Sequence, residues 1–257
     1  MRPSAKKALR WLLLVPALLI VLLGGFTIWG LTPLGPTDSA LEALESDSTV
    51  TVEHADEGWV FTPTGDNATH GYVFYPGGRV DPRSYAPYAR ALAQRDCVVV
   101  ISETPLALAV LGPNAATAAI ENNPEVATWT IGGHSLGGVL AAQYAARNLD
   151  TIDGLVLLAS YPQSSSPLAE SGLRVATLVG TQDTVVNRES WEAARLLLPQ
   201  DTRFLEIKGA NHAQFGDYGP QPGDTTDPDM SAAEQLRVAV SETSMMILGE
   251  LPSGERP

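Results

Sequence analysis

Short apolar runs alternate with longer amphipathic segments along most of this chain. Eight short runs predict β-strands, at residues 49–53, 58–62, 71–75, 97–102, 128–132, 154–158, 175–179 and 202–207. Five longer segments predict helices, at residues 84–95, 114–122, 136–148, 188–198 and 231–248. Several strand runs are apolar throughout, which is typical of parallel strands covered on both faces. The pattern predicts an α/β fold: a doubly wound, mostly parallel eight-stranded sheet with an antiparallel start.

The N-terminus has a different character. Residues 11–31 carry no charge, and a helix of that length spans roughly the 30 Å of a bilayer core. Four basic residues precede the run and tryptophans lie near both ends, namely Arg2, Lys6, Lys7, Arg10, Trp11 and Trp29. Residues 1–31 are therefore predicted to be a single-pass signal anchor that places the rest of the chain on the extracytoplasmic side of the cell membrane. A cleaved signal peptide followed by secretion is the alternative.

The remaining residues divide into two parts. Residues 32–48 are rich in proline, glycine and acidic residues and predict a linker. Residues 49–257 are long enough to bury one core and are predicted to form one domain. The formal net charge is −13, and the first 31 residues carry +4, so the exported part is strongly acidic. A nucleic-acid partner is not expected of such a surface.

Composition also limits the chemistry. Cys97 is the only cysteine, so no intrachain disulfide forms, and the scattered histidines make no metal-ligand cluster. The sequence contains neither a G-x-x-x-x-G-K phosphate loop nor a dinucleotide fingerprint. We therefore predict no cofactor and no metal.

The most informative motif is Ile-Gly-Gly-His-Ser-Leu-Gly-Gly at residues 131–138. It contains a G-x-S-x-G pentapeptide between a predicted strand and a predicted helix. Such a strand-turn-helix setting exposes the hydroxyl of the central serine, Ser135, and predicts a nucleophile. The backbone N–H of Leu136 then lies at a helix start and faces an oxyanion. His134 flanks the nucleophile and receives no role.

Residues for an acid and a base follow in the required order. The chain has four histidines, His54, His70, His134 and His212. Only His212 follows a late strand, and it is predicted to be the general base; no role is assigned to the others. Asp183 follows the predicted strand 175–179 and is predicted to orient the base, with Asp217 and Glu206 as weaker alternatives.

Four motifs together resemble the α/β-hydrolase fold superfamily, and more closely its small, lidless bacterial esterases related to dienelactone hydrolases. They are Gly-His-Ser-Leu-Gly-Gly, Gly-Thr-Gln-Asp, Gly-Ala-Asn-His-Ala-Gln-Phe-Gly and Val-Phe-Tyr-Pro-Gly-Gly-Arg. The resemblance covers about residues 50–250 and implies that residues 49–257 are a catalytic domain. Many members of the superfamily insert a helical cap between the strand ending near Ala159 and the one starting near Arg174. Only about fourteen residues lie there, so no large cap is expected.

The resemblance also implies that Gly78 supplies the second oxyanion N–H, with Arg79 as the alternative; Pro76 replaces the usual histidine. Dienelactone hydrolases proper use a cysteine nucleophile, so their ring-opening activity is not implied.

These residues predict a serine hydrolase that cleaves a small-molecule carboxylic ester or thioester through an acyl-enzyme on Ser135. An envelope acyltransferase with the same acyl-enzyme and a non-catalytic exported binding domain are the alternatives. Residues 104–120 are predicted either to wall an acyl groove or to pack on the sheet. Tyr161 and Pro162 are candidates for the pocket rim, and residues 216–229 are expected to border the site.

Overall fold

The computed structural model describes residues 30–65, 68–107 and 111–250, together with residues 14–15, 18–22, 24–25 and 27. The described residues form one eight-stranded sheet with helices on both faces. The strands are β1 (Val50–Ala55), β2 (Gly58–Pro63), β3 (His70–Tyr75), β4 (Cys97–Ser102), β5 (Thr128–His134), β6 (Ile152–Leu158), β7 (Arg174–Gly180) and β8 (Arg203–Ile207). The helices are α1 (Asp38–Glu42), α2 (Ala86–Ala93), α3 (Ala115–Glu121), α4 (Leu136–Arg147), α5 (Arg188–Ala193) and α6 (Ala232–Leu248).

The sheet has the strand order β1-β2-β4-β3-β5-β6-β7-β8. The pairs β1/β2 and β2/β4 are antiparallel, and all later pairs are parallel. This confirms the predicted α/β class, the antiparallel start and the mostly parallel eight-stranded sheet. Because β5 to β8 run the same way, their carboxyl ends meet at one edge, where open α/β sheets place their sites.

A buried apolar cluster covers each face of the sheet. One cluster joins the sheet to α2 and α6, and the other joins it to α3 and α4. Strand β4 is buried at every position, as its continuous apolar run predicts. Ala116 and Ala119 of α3 are fully buried in the second cluster, so the later part of residues 104–120 packs on the sheet.

Two helices differ from their predicted limits for local reasons. The segment predicted as a helix from residue 84 begins with a 3-10 turn, Pro82–Tyr85, before α2. Helix α5 ends at Ala193 and continues as a 3-10 turn to Leu197. Leu198 is extended, with φ −115° and ψ 156°, because the following proline disfavours helical backbone at the residue before it.

The connection from β6 to β7 contains neither helix nor strand. It spans residues 159–173 and leaves no room for an inserted cap domain. The predicted absence of a large cap between these two strands is therefore confirmed.

Nine of the 21 residues of the uncharged run at 11–31, part of the predicted anchor, lie outside the described residues. Within the described part of the chain, no helix combines the length and apolar character that crossing a bilayer requires.

Residues 32–48, predicted as a linker, pack against the domain where the structure describes them. Ala40 of α1 is fully buried, the Thr37 N–H donates to the Asp217 carbonyl (3.0 Å), and Arg90 Nε donates to the Ala43 carbonyl (2.9 Å). The segment thus contributes a short helix to the surface of the folded body.

Candidate active site

The predicted nucleophile lies in the turn between β5 and α4. Ser135 has φ 52° and ψ −122°, a backbone conformation that non-glycine residues rarely adopt. Its N–H donates to the Leu158 carbonyl (2.9 Å), and its carbonyl accepts from Ser160 Oγ (2.7 Å). The end of β6 therefore holds the strained turn from both sides, and the serine is half-buried at the carboxyl edge of the sheet.

The glycines on either side of Ser135 are required because other backbone atoms lie very close to them. A Cβ on Gly133 would lie 2.5 Å from the carbonyl carbon of Gly137. A Cβ on Gly137 would lie 2.1 Å from the Tyr75 carbonyl oxygen, at the end of β3. These contacts exclude any side chain at either position without movement of the backbone, which is the physical reason for glycine on each side of the serine.

The predicted acid and base form a buried pair. Asp183 Oδ2 accepts from His212 Nδ1 at 2.8 Å, and the side chains are 0% and 2% exposed. Asp183 Oδ1 accepts from the backbone N–H groups of Val185 (2.9 Å) and Val186 (2.8 Å). An ionised carboxylate only accepts hydrogen bonds, so the Nδ1 of His212 carries the proton and Nε2 keeps its lone pair. This is the orientation that a general base requires.

The Nε2 of His212 is buried and has no hydrogen-bond partner among the described residues. The His212 ring lies 4.6 Å, between centroids, from the ring of His134, the residue next to the nucleophile in the chain. The bond from Ser135 Oγ to Nε2 is absent in this structure. Hydrogen bonds between a nucleophile and its base are often long in ligand-free structures and tighten when substrate binds. The structure therefore places the three residues after the carboxyl ends of β5, β7 and β8, at one edge of the sheet, and leaves Nε2 of the candidate base without a partner.

Two backbone N–H groups suit an oxyanion. Leu136 is the first residue of α4, so its N–H has no acceptor within the helix. None of the hydrogen bonds of the described residues uses the N–H of Gly78, and a Cβ there would lie 3.1 Å from Leu136 Cδ2. The N–H of Arg79, the alternative donor, is already bonded to the Ala107 carbonyl at 2.8 Å. The geometry thus favours Gly78 over Arg79.

The alternatives for the acid are engaged elsewhere. Glu206 pairs with Arg188 (2.6 Å), and Asp217 accepts from Ser39 Oγ (2.6 Å). Neither contacts the candidate base in these interactions.

Two of the histidines without an assigned role also have other partners. His54, an exposed residue of β1, contacts Glu103 Oε2 through its Nε2 (2.9 Å). His70 Nδ1 contacts Thr128 Oγ1 (2.6 Å) at the amino end of β3, the opposite edge of the sheet.

Sequence reasoning missed a second buried carboxylate, Asp224. Its Oδ1 accepts from the Thr184 N–H (3.3 Å), and its Oδ2 accepts from the Ala213 N–H (2.8 Å). One carboxylate therefore joins the residue after Asp183 to the residue after His212. No sequence signal distinguishes it, because several other aspartates lie in the same Gly/Pro/Asp-rich segment.

The segment 216–229 borders the site as expected, and its contacts fasten it. Thr225 Oγ1 donates to the Gln182 carbonyl (2.7 Å), and Thr184 Oγ1 donates to the Gly223 carbonyl (2.8 Å). Gln182 Nε2 also donates to Asp229 Oδ2 (2.8 Å). The segment is therefore attached to the loop that carries the candidate acid.

Tyr161 and Pro162 line a groove of about 470 Å³ between the residues that follow β6 and helix α5. Ser160, the residue before Tyr161, donates a hydrogen bond to the carbonyl of Ser135, so the groove begins beside the turn that carries the candidate nucleophile. None of the three predicted triad residues lines it.

Comparison with known proteins agrees with this fold. A predicted CIB-like hydrolase from Thermoplasma acidophilum aligns with a TM-score of 0.57 and 14% identity, over 76% of this chain and 98% of its own. Est1E from Butyrivibrio proteoclasticus aligns with a TM-score of 0.54 and 12% identity, over 78% of this chain and 100% of its own. No curated protein matches. At these identities the structural likeness shows the fold. The model of the alpha/beta hydrolase family matches residues 71–237, well over half of the sequence, and the chain belongs to that family.

Proposed function

We propose that this protein is a serine hydrolase that cleaves a carboxylic ester or thioester through an acyl-enzyme on Ser135. The observation that carries the proposal is the buried pair of Asp183 and His212. It presents an unengaged Nε2 beside the strained turn of a G-x-S-x-G motif. A fold alone does not require this combination, because fold and function are separable.

Each residue then has a defined task. His212 Nε2 takes the proton of Ser135 Oγ as the oxygen attacks the substrate carbonyl, and Asp183 stabilises the imidazolium that results. The N–H groups of Leu136 and Gly78 donate to the developing oxyanion. The base returns its proton to the leaving alcohol or thiol. Water, activated by the same base, then hydrolyses the acyl-enzyme and restores the free serine.

We further propose that residues 1–31 hold this domain at the extracytoplasmic face of the membrane. Support comes from the uncharged run at residues 11–31 and the basic residues before it. The acidic remainder of the chain is repelled by anionic lipid headgroups, so the anchor rather than the domain surface accounts for membrane attachment.

The proposed function is tested with a fluorophosphonate probe and a soluble short-chain ester, applied to the purified full-length protein. The probe should label the wild type, and Ser135→Ala should abolish labelling and lower turnover by at least roughly 10³-fold. The matched control is Ser164→Ala, which changes an exposed serine in the groove and should keep both properties. Labelling that persists in a folded Ser135→Ala protein would contradict the proposal.

A further inference from the structure

The ring of His134 is held by a tyrosine that also contacts the oxyanion side of the site. Tyr85 Oη accepts from the Gly77 N–H (3.0 Å) and lies 2.8 Å from His134 Nδ1. Among the described residues the hydroxyl has no other partner, so the buried tyrosine proton finds an acceptor only if it is donated to Nδ1 of His134. Nδ1 is then the acceptor, and the ring proton of neutral His134 lies on Nε2.

His134 also contacts the candidate base directly. The rings of His134 and His212 are 4.6 Å apart between centroids, and the Nε2 of His134 is buried without a hydrogen-bond partner among the described residues. The titratable side chains facing this ring are Tyr85, His212 and Tyr218, the last at 6.5 Å between centroids. Burial lowers the pKa of His134 well below its usual value, and the neighbouring His212 lowers it further. Burial also raises the pKa of Tyr85, which keeps its hydroxyl a donor.

We propose that Tyr85 and His134 are a positioning pair: the tyrosine hydroxyl orients the ring of His134, and that ring fixes the base His212 beside the nucleophile. The same hydroxyl fastens Gly77, the neighbour of the oxyanion donor Gly78. This inference rests on the function proposed above and adds a set of contacts that hold the base and the oxyanion donor in fixed positions relative to each other. It assigns a role to His134, for which the sequence motif alone predicted none.

The physical reason lies in the charge that develops on the base. His212 becomes an imidazolium when it takes the serine proton, and a second positive charge on the adjacent ring would oppose that step. A tyrosine proton on Nδ1 prevents His134 from taking up a proton at that atom. Removal of the hydroxyl frees Nδ1, so His134 gains a proton more easily as the pH falls. The protein should then lose activity at a higher pH than the wild type does.

The test compares Tyr85→Phe with Tyr88→Phe. Both tyrosines are buried, but the Tyr88 hydroxyl bonds to Thr243 (2.6 Å) and Tyr72 (3.3 Å), outside the site. Tyr85→Phe should lower kcat for a soluble ester by about tenfold, the effect of roughly one lost hydrogen bond, with KM changed by less than about twofold. The acid limb of its pH–rate profile should move to higher pH. Tyr88→Phe should keep the wild-type kcat and profile.

A double substitution tests whether protonation of His134 causes the shift of the acid limb. In Tyr85→Phe/His134→Phe the neighbouring ring cannot titrate, so the acid limb should return to its wild-type position. The kcat effects of the two single substitutions should not multiply, because both interrupt one contact chain. His134→Asn, which replaces the ring by a smaller polar side chain, provides a further measurement if Tyr85→Phe fails to fold. It should lower kcat because the ring that contacts His212 is removed.

The outcomes separate this inference from the proposed function. A wild type that neither hydrolyses esters nor labels with the fluorophosphonate defeats the proposed function. An active wild type whose folded Tyr85→Phe and His134→Asn variants keep the wild-type kcat and acid limb overturns the positioning role alone. Effects in Tyr85→Phe and Tyr88→Phe of equal size would also overturn it.

Discussion

The buried carboxylate of Asp224 offers the sharpest test of how the site is held together. It accepts from the backbone N–H of Thr184, which follows Asp183, and from that of Ala213, which follows His212. Asp224→Asn keeps the size of the side chain but replaces one acceptor oxygen by an NH₂ group. Whichever way the amide turns, its NH₂ faces a backbone N–H, and one of the two hydrogen bonds is lost.

The expected magnitude follows from these distances. The 2.8 Å bond to Ala213 is the shorter, so the amide oxygen should turn to it, and the 3.3 Å bond to Thr184 should be lost. A hydrogen bond to a charged group contributes about 1.5–3 kcal/mol, and a buried donor left unpaired costs a similar amount. We expect the free energy of unfolding to fall by about 2–3 kcal/mol. We also expect kcat to fall by about tenfold, because the loop of Asp183 loses its link to the loop of His212.

Equilibrium unfolding in urea and steady-state hydrolysis of a soluble ester measure these two effects. Asp229→Asn is the matched control: Asp229 belongs to the same segment but accepts from Gln182 Nε2 at an exposed position. It should change the free energy of unfolding by less than about 0.5 kcal/mol and leave kcat unaltered. If Asp224→Asn behaves like this control in both assays, the linking role of the carboxylate is refuted.

Three further predictions address the turn, the pH dependence of stability and the anchor. In Gly137→Ala the new Cβ would lie 2.1 Å from the Tyr75 carbonyl oxygen, so the free energy of unfolding should fall by about 1–3 kcal/mol. Gly35→Ala, where no atom lies within 4 Å of the new Cβ, should not lower it. Urea unfolding of both variants measures the difference. The lowered pKa of His134 means that the unfolded state binds the extra proton below pH 6.5 or so, so stability should decline as the pH falls through that range. His134→Asn should reduce this slope by up to about 1.4 kcal/mol per pH unit; equal slopes in both proteins would contradict the assignment. Protease added to intact cells should release the catalytic domain and leave residues 1–31 in the membrane, whereas recovery of the protein from the medium without its N-terminus would favour a cleaved signal.

Much of the fold was predictable because its signals are local. The continuous apolar run of β4 and the alternation of strands with helices predict a covered parallel sheet, and the structure has one. Helix α6 shows how local such signals are. Ser231 caps its first turn in a reciprocal box with Glu234, and Gly249 ends it in a left-handed conformation with φ 70°. The ends of helices were less predictable where a proline changed the backbone conformation of the residue before it, as at Leu198 after α5.

The candidate triad was predictable for a related reason. The motif around Ser135 is contiguous, and the order of serine, acid and histidine follows the order of the strands. Once parallel strands are expected, residues just after β5, β7 and β8 are expected at one edge. The placement of Asp183 and His212 next to each other needs only that register, and the structure pairs them at 2.8 Å.

The α/β class, the turn with its glycines and the candidates for nucleophile, acid and base were predictable from the amino-acid sequence, because each depends on neighbours in the chain or on strand order. Which backbone N–H groups have an acceptor depends on the tertiary structure: the N–H of Arg79 donates to the Ala107 carbonyl, whereas that of Gly78 has no acceptor among the described residues. The contacts of Asp224 and the contact between Tyr85 and His134 depend on the tertiary structure as well. Those contacts join residues 11 to 49 positions apart, and their geometry depends on how loops from separate strands pack at one edge. No local pattern of residues encodes such a distance.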